Sequence, residues 1–174
     1  MTDSEPQRIG VSIDLKPHAY DPAANPELFK GVLARRFIAF AIDIVIIMLP
    51  VAFAAVFIFF LGLVTFLLGW ALFWVLYPGT IVWALVYCGS TLGSPASATI
   101  GMRIMDLEMH TWYGAPAYFV LGAVHAIVFW MTPLVLVIGL LNGRQRLLHD
   151  ILIGTVVINN PARAQALRMA GPTV

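Results

Sequence analysis

Charge is scarce in this chain, so a charged residue in an apolar setting carries information. Between Phe37 and Met102 the only charged residue is Asp43. It follows Arg36 by seven positions, about 10 Å along a helix axis. A carboxylate at that depth costs about 2.5–3.5 kcal/mol if it faces lipid. Asp43 must therefore be protonated or find a partner. Arg36 is two turns back on the same face, but helical side chains lean toward the N-terminus, which carries Arg36 away. The partner is expected from elsewhere: Arg103, Arg144, Arg146 and His149 are the available donors, and three of these four lie in RQRLLHD, residues 144–150. If that stretch reaches Asp43, it sits on the same side of the membrane as Arg36.

Each of these residues also has a plainer reading. Asp43 is then a buried anchor that holds helix register and moves no ion. Arg35 and Arg36 signal topology and touch phosphates, His149-Asp150 is a polar cap, and His125 is an interior histidine bonded to a backbone carbonyl. No metal-ligand spacing, nucleophile elbow or phosphate loop is present, and His18, His110, His125 and His149 are scattered. No catalytic residue, metal or cofactor is expected, and the chain does not read as an enzyme. The lone Cys88 has no partner for an internal disulfide and reads as packing.

The elements that position these residues are set by composition. Of 174 residues, 60% are hydrophobic and 11% charged, the net charge is +1 and mean hydropathy is +0.89. Soluble domains carry about 25% charge, and one this small needs polar residues to cover its surface. A soluble enzyme, a disordered chain and a nucleic-acid binder are excluded. What remains is an integral membrane protein whose partner is the lipid bilayer. A span needs about 20 residues. Segment one is expected at 34–60 and segment two at 65–89, with the turn at Leu61-Gly62-Leu63, and a third apolar stretch lies at 116–141. Pro50, Pro78 and Pro133 each interrupt a segment and are expected to kink it. Trp70, Trp74 and Tyr77 form either a headgroup-level belt or a packing stripe.

Lys30, Arg35 and Arg36 flank segment one, and no basic residue separates segments one and two, which puts the N-terminus in the cytoplasm. If segment three crosses, Arg144 and Arg146 end up outside, against the charge rule. If it folds back near Pro133 they stay inside, and this is the preferred reading. The fold class expected is thus an all-α membrane protein. It is a small polytopic helical bundle with two full transmembrane helices plus a third crossing or folded-back segment. Three segments cannot enclose a polar path, so any transport requires a homo-oligomer or another membrane protein. Residues 1–30 and 159–174 read as polar tails around a membrane domain at 31–158, with a possible surface helix from Ala162 to Met169. No signal peptide is seen, so the first segment acts as a retained anchor. The string 104–116 alternates weakly, as a short hairpin does, and the β-branched IGTVVI at 153–158 is able to pair with it. Gly89-x-x-x-Gly93 and Gly139-x-x-x-Gly143 fit a close-packing motif, but at segment ends they read as turns.

Three strings resemble one family. ARRFIAFAIDIVIIML (34–49) is similar to the start of the RDD family of small bacterial membrane proteins, with Arg36, Ala39 and Asp43 matching. SATIGMRIMDLEM (97–109) resembles its loop after the second helix through Thr99, Gly101, Arg103 and Leu107. There Ile100 stands for the usual Pro, Met102 for Lys, Asp106 for Gly and Glu108 for Arg. RQRLLHDILIGTVVI (144–158) resembles its closing string through Arg144 or Arg146, Leu148, His149, Asp150, Gly154, Thr155 and Val157. The resemblance implies that Arg36, Asp43 and Asp150 act as one set. Arg103, Arg144, Arg146 and His149 support it, and Gly101 and Gly154 are motif glycines. It implies an inner-membrane component with a transport-related or ion-linked role, acting as an oligomer with its ligand unknown. The alternative is a non-catalytic interaction or assembly module.

Overall fold

The computed structural model describes residues 19–131 and 148–171 and is mostly helical. After a short 3-10 turn at Pro26–Leu28, helix α1 runs from Val32 to Val64. Its 33 residues span about 50 Å. The helix is apolar on every side, as a lipid-facing helix is: Phe53, Phe57 and Phe60 are all exposed. Pro50 lies inside it without ending it.

The reversal falls later than expected. Gly62 stays helical, and its missing side chain leaves room for the Trp70 indole, since a Cβ there would lie 1.7 Å from Cδ1 of Trp70. The chain turns instead at Phe66 and Leu67, both with positive φ. The Leu67 N–H donates to Gly62 O at 2.7 Å, the long-range bond of a Schellman-type helix end. Thr65 secures the turn, its hydroxyl donating to Leu61 O at 2.7 Å and accepting from the Gly69 N–H at 2.8 Å. A 3-10 turn at Leu68–Leu72 leads into α2, Phe73–Leu92, which contains Pro78. Trp70 donates Nε1–H to Phe59 O at 3.2 Å. Trp74 and Tyr77 are 86% and 75% exposed, so of the two readings of these three rings the packing stripe is not made within this chain.

Beyond α2 come α3 (Ile100–Ile104), β1 (Leu107–Thr111), α4 (Phe119–Met131), α5 (Leu148–Ile153), β2 (Thr155–Asn159) and α6 (Pro161–Met169). Strands β1 and β2 pair antiparallel, from Leu107↔Asn159 to Thr111↔Thr155. This corrects the all-α expectation. The β-branched string 155–158 does pair with 107–111, whereas 104–116 makes no hairpin of its own beyond one bridge, His110↔Pro116. Gly154, at φ +76°, makes the left-handed step from α5 to β2 that a side chain disfavours.

β2 is buried along its whole length, and β1 is buried at alternate residues. Leu107, Met109 and Val157 pack with Val32 and Ala39 of α1, Leu92 of α2 and Leu121 of α4. Val156 and Ile158 are covered by Tyr20, Leu28 and Phe29. Residues 19–30 are therefore a strap over the sheet and not the loose tail expected. The strap is held by Ala19 N–H on Trp112 O at 2.8 Å, and Glu27 on it meets Arg168 of α6 at 2.5 Å. α4 packs against α2 through small residues. A Cβ at Gly93 would lie 2.6 Å from the Phe119 backbone N, and one at Gly122 would lie 2.8 Å from Cβ of Leu92. Gly89-x-x-x-Gly93 is thus a close-packing site and not merely a turn. Pro133, Gly139 and Gly143 lie outside the described residues.

Candidate functional site

Two polar clusters sit where the first turns of α1 meet α3, α5 and the sheet. The first is built on Asp43. Thr99 caps the N-terminus of α3, its Oγ1 accepting from the Met102 N–H at 3.1 Å. That leaves the hydroxyl proton for Asp43 Oδ2, at 2.6 Å. The Gly101 N–H donates to Oδ1 at 2.9 Å, and the Tyr87 hydroxyl reaches the same oxygen from α2 at 2.5 Å. A side chain at Gly101 would put its Cβ 2.1 Å from Ala39 O and 2.9 Å from Asp43 Cγ. Only glycine lets α3 approach α1 this closely.

The cation expected on Asp43 does not come from Arg103. That side chain turns to the end of α2, where it donates to Ala98 O at 3.1 Å and Ser94 Oγ at 2.6 Å. Arg144, Arg146 and the side chain of His149 lie outside the described residues. Neutral donors are enough on energetic grounds. A hydrogen bond to a charged group contributes about 1.5–3 kcal/mol, so three together exceed the cost of placing the carboxylate there.

The second cluster is built on Asp150, which is fully buried. Arg36 Nη1 meets Asp150 Oδ2 at 2.5 Å, with the Arg36 side chain 10% exposed. The other carboxylate oxygen faces the Thr155 hydroxyl at 3.4 Å and His125 Nδ1 at 3.8 Å. Arg36, Asp43 and Asp150, expected to act as one set, are divided between two clusters. Arg36 serves Asp150, and Asp43 is served by α2 and α3. This agrees with the lean of Arg36 away from Asp43.

Arg35, read as a topology and phosphate residue, is a structural joint. It donates Nη1–H to Met105 O at 2.8 Å and Nη2–H to Asn159 Oδ1. Asn159 in turn donates to Glu27 O at 2.7 Å and Lys30 O at 3.2 Å. Three positions escaped the sequence reading, Tyr87, Thr99 as a donor and Asn159, while His125, read as an interior histidine, lies with its Nδ1 3.8 Å from Asp150 Oδ1. Two had usable signals. A tyrosine hydroxyl inside an apolar run needs a partner, and a threonine just ahead of a helix is an N-cap signal.

The cavity between α1 and α2 has a volume of 420 Å³ and is walled by Pro50, Ala54, Leu76, Gly79 and Trp83 among others, so it is apolar. It shares no residue with either cluster. Among the described residues no group of three His, Cys, Asp or Glu is placed to hold a metal ion.

A family model described as the RDD family matches residues 31–154, most of the chain and all of Arg36, Asp43, Gly101, Asp150 and Gly154. No curated protein and no solved structure matches the chain.

Proposed function

The chain belongs to the RDD family, and on that premise we propose that it is a non-catalytic assembly module of the bacterial inner membrane. It is multi-pass with a cytoplasmic N-terminus, and it associates with further copies of itself or with another membrane protein. That it is a membrane protein follows from the family and its two long apolar helices. Lys30, Arg35 and Arg36 ahead of α1, and the uncharged reversal after it, support the orientation.

One observation carries the assembly reading. Both oxygens of Asp43 are engaged by donors of its own chain, Tyr87, Thr99 and Gly101. A carboxylate used in this way locks three elements in register. Outward apolar side chains on α1 and α2, Phe53, Phe57 and Val64 among them, supply surface for lipid or a partner helix. The test is mild-detergent purification of the full chain with cross-linking in membranes beforehand. A stoichiometric oligomer or membrane partner is expected, and recovery as a bare monomer overturns the reading.

Ion-linked transport is the second reading, favoured by the two hydroxyls on Asp43. They form with the carboxylate an all-oxygen group of the kind that hard cations accept. In reconstituted vesicles this reading requires ion flux that disappears in Asp43→Asn while the protein still inserts. Such a loss would replace the assembly reading, and unchanged flux removes the transport reading.

A further inference from the structure

The apolar cavity between α1 and α2 is used by neither reading. The two helices touch on either side of it. Toward the charged end, Ile47 packs with Ala84 and Tyr87, whose hydroxyl reaches Asp43 at 2.5 Å. Toward the hairpin turn, the Trp70 indole fills the space beside Gly62 and stacks on Phe59 at a centroid distance of 6.2 Å. Between these contacts the helices leave a volume of 420 Å³. Of its wall, Ile58 is buried, while Leu72, Val75 and Trp83 are exposed, so the cavity opens sideways from the helix pair. A Cβ at Gly79, also in the wall, would meet nothing within 4 Å.

Chemistry and length identify the occupant. No charged residue lies between Asp43 and Met102, so the slot is at hydrocarbon depth. The one hydroxyl in its wall, that of Thr80, donates to Leu76 O at 2.8 Å. The wall thus lacks the several polar partners that a water needs. On α1 the slot runs from Pro50 to Ile58, eight positions, and on the α2 side from Leu72 to Trp83, eleven. These stretches are about 12 and 16 Å of helix. One leaflet of a bilayer with about 30 Å of hydrocarbon offers about 15 Å. A spanning helix, about 30 Å long and about 10–12 Å wide, cannot be seated along a slot that is shut at both ends. An unfilled void forfeits the contacts of its lining, and the filler at this depth is hydrocarbon. We propose that the slot binds one acyl chain of a bilayer lipid, lying along α1 and α2 between Trp70 and Tyr87. The inference rests on the chain being a membrane protein. It is independent of the assembly and transport readings, because both walls belong to one chain.

The experiment is photolabelling of the full chain in vesicles of phosphatidylglycerol and phosphatidylcholine. The probe is a phosphatidylcholine with a diazirine at mid-chain, and the adducts are mapped by mass spectrometry. In the wild type, Ala54, Leu76 and Gly79 are expected to take more label than Phe53 and Val82, which are exposed on the same helices outside the slot. Gly79→Leu and Ala54→Leu fill the slot from opposite walls. Each should lower the slot label roughly fivefold or more, as overpacking of a filled space does. Label retained on Phe53 and Val82 shows that the variant still inserts. The proposal is overturned by wild-type label no higher in the slot than on Phe53 and Val82, the result expected if a second copy or another stretch of this chain covers it. Slot label unchanged in either variant also overturns it. Absence of label from Phe53 and Val82 as well would overturn the membrane reading on which the proposal rests, and the proposal with it.

Discussion

At Asp43 the balance lies between the cost of a carboxylate among apolar helices and the return from three donors. Replacement by Asn keeps the shape but exchanges one acceptor for an NH₂ group, which then faces a donor. Asp43→Asn is expected to lower stability by about 1–3 kcal/mol, as for a buried polar group left mispaired. Tyr87→Phe removes one donor and leaves two, so its cost should be about 0.5–1.5 kcal/mol. Denaturant unfolding in mild detergent checks the order, and a Tyr87→Phe cost above that of Asp43→Asn would contradict the cradle. The Arg36–Asp150 pair behaves differently because Asp150 is wholly out of contact with solvent. Arg36→Ala takes the arginine away from a buried carboxylate and should cost about 3–5 kcal/mol. Adding Asp150→Ala removes the carboxylate that the arginine served, so the double variant should cost much less than the sum of the singles. Strict additivity would show that the two groups do not act on one another.

Between elements, glycines set how closely backbones approach, and two of them make a controlled comparison. A Cβ at Gly101 would collide with the carbonyl of Ala39, whereas one at Gly79 would meet nothing within 4 Å. Gly101→Ala should therefore separate α3 from α1, weaken two of the bonds to Asp43, and cost about 2 kcal/mol or more. Gly79→Ala should be neutral or stabilising by up to about 1 kcal/mol, since alanine is the better helix former. Thermal unfolding of the two variants side by side checks this, and equal losses would contradict the packing. The turn from α3 into β1 gives a prediction of the opposite sign. Asp106 holds φ +54°, where a side chain costs about 1–2 kcal/mol over glycine. Part of that gain is lost to the greater freedom of glycine in the unfolded chain. Asp106→Gly should raise stability by roughly 0.5–1 kcal/mol, seen as a higher unfolding midpoint.

For the whole molecule, the consequence is which end of the bundle each terminus reaches. Arg36 holds Asp150, Arg35 holds Asn159, and Glu27 holds Arg168. The strap before α1 and the helix that follows β2 are thus at one end of the structure. Reporters fused before residue 19 and after residue 171 should report the same side of the membrane. Opposite sides would rule out the joint formed by α1, α5 and the sheet. The third apolar stretch, 116–141, is described as far as Met131, and its remainder lies outside the described residues.

Much of this was legible from the residues in order. Membrane character follows from how few charges there are, and the two long helices follow from uninterrupted apolar runs. Gly101 and Gly154 stood out because each fills a place in a recognisable string. The β-branched run at 155–158 announced a strand, and even its partner was within reach. These are properties of composition and of neighbours along the chain, and such properties act before the chain is folded. The tertiary structure decided everything that depends on which distant surfaces meet. Asp43 takes hydroxyls and an amide from positions 44 to 58 residues away instead of a cation, while Arg36 crosses 114 residues to Asp150. Many donors in the sequence are chemically competent to serve a carboxylate. Only the close approach allowed by a missing side chain at Gly101, and the lean of Arg36 toward its own N-terminus, determines which of them arrive.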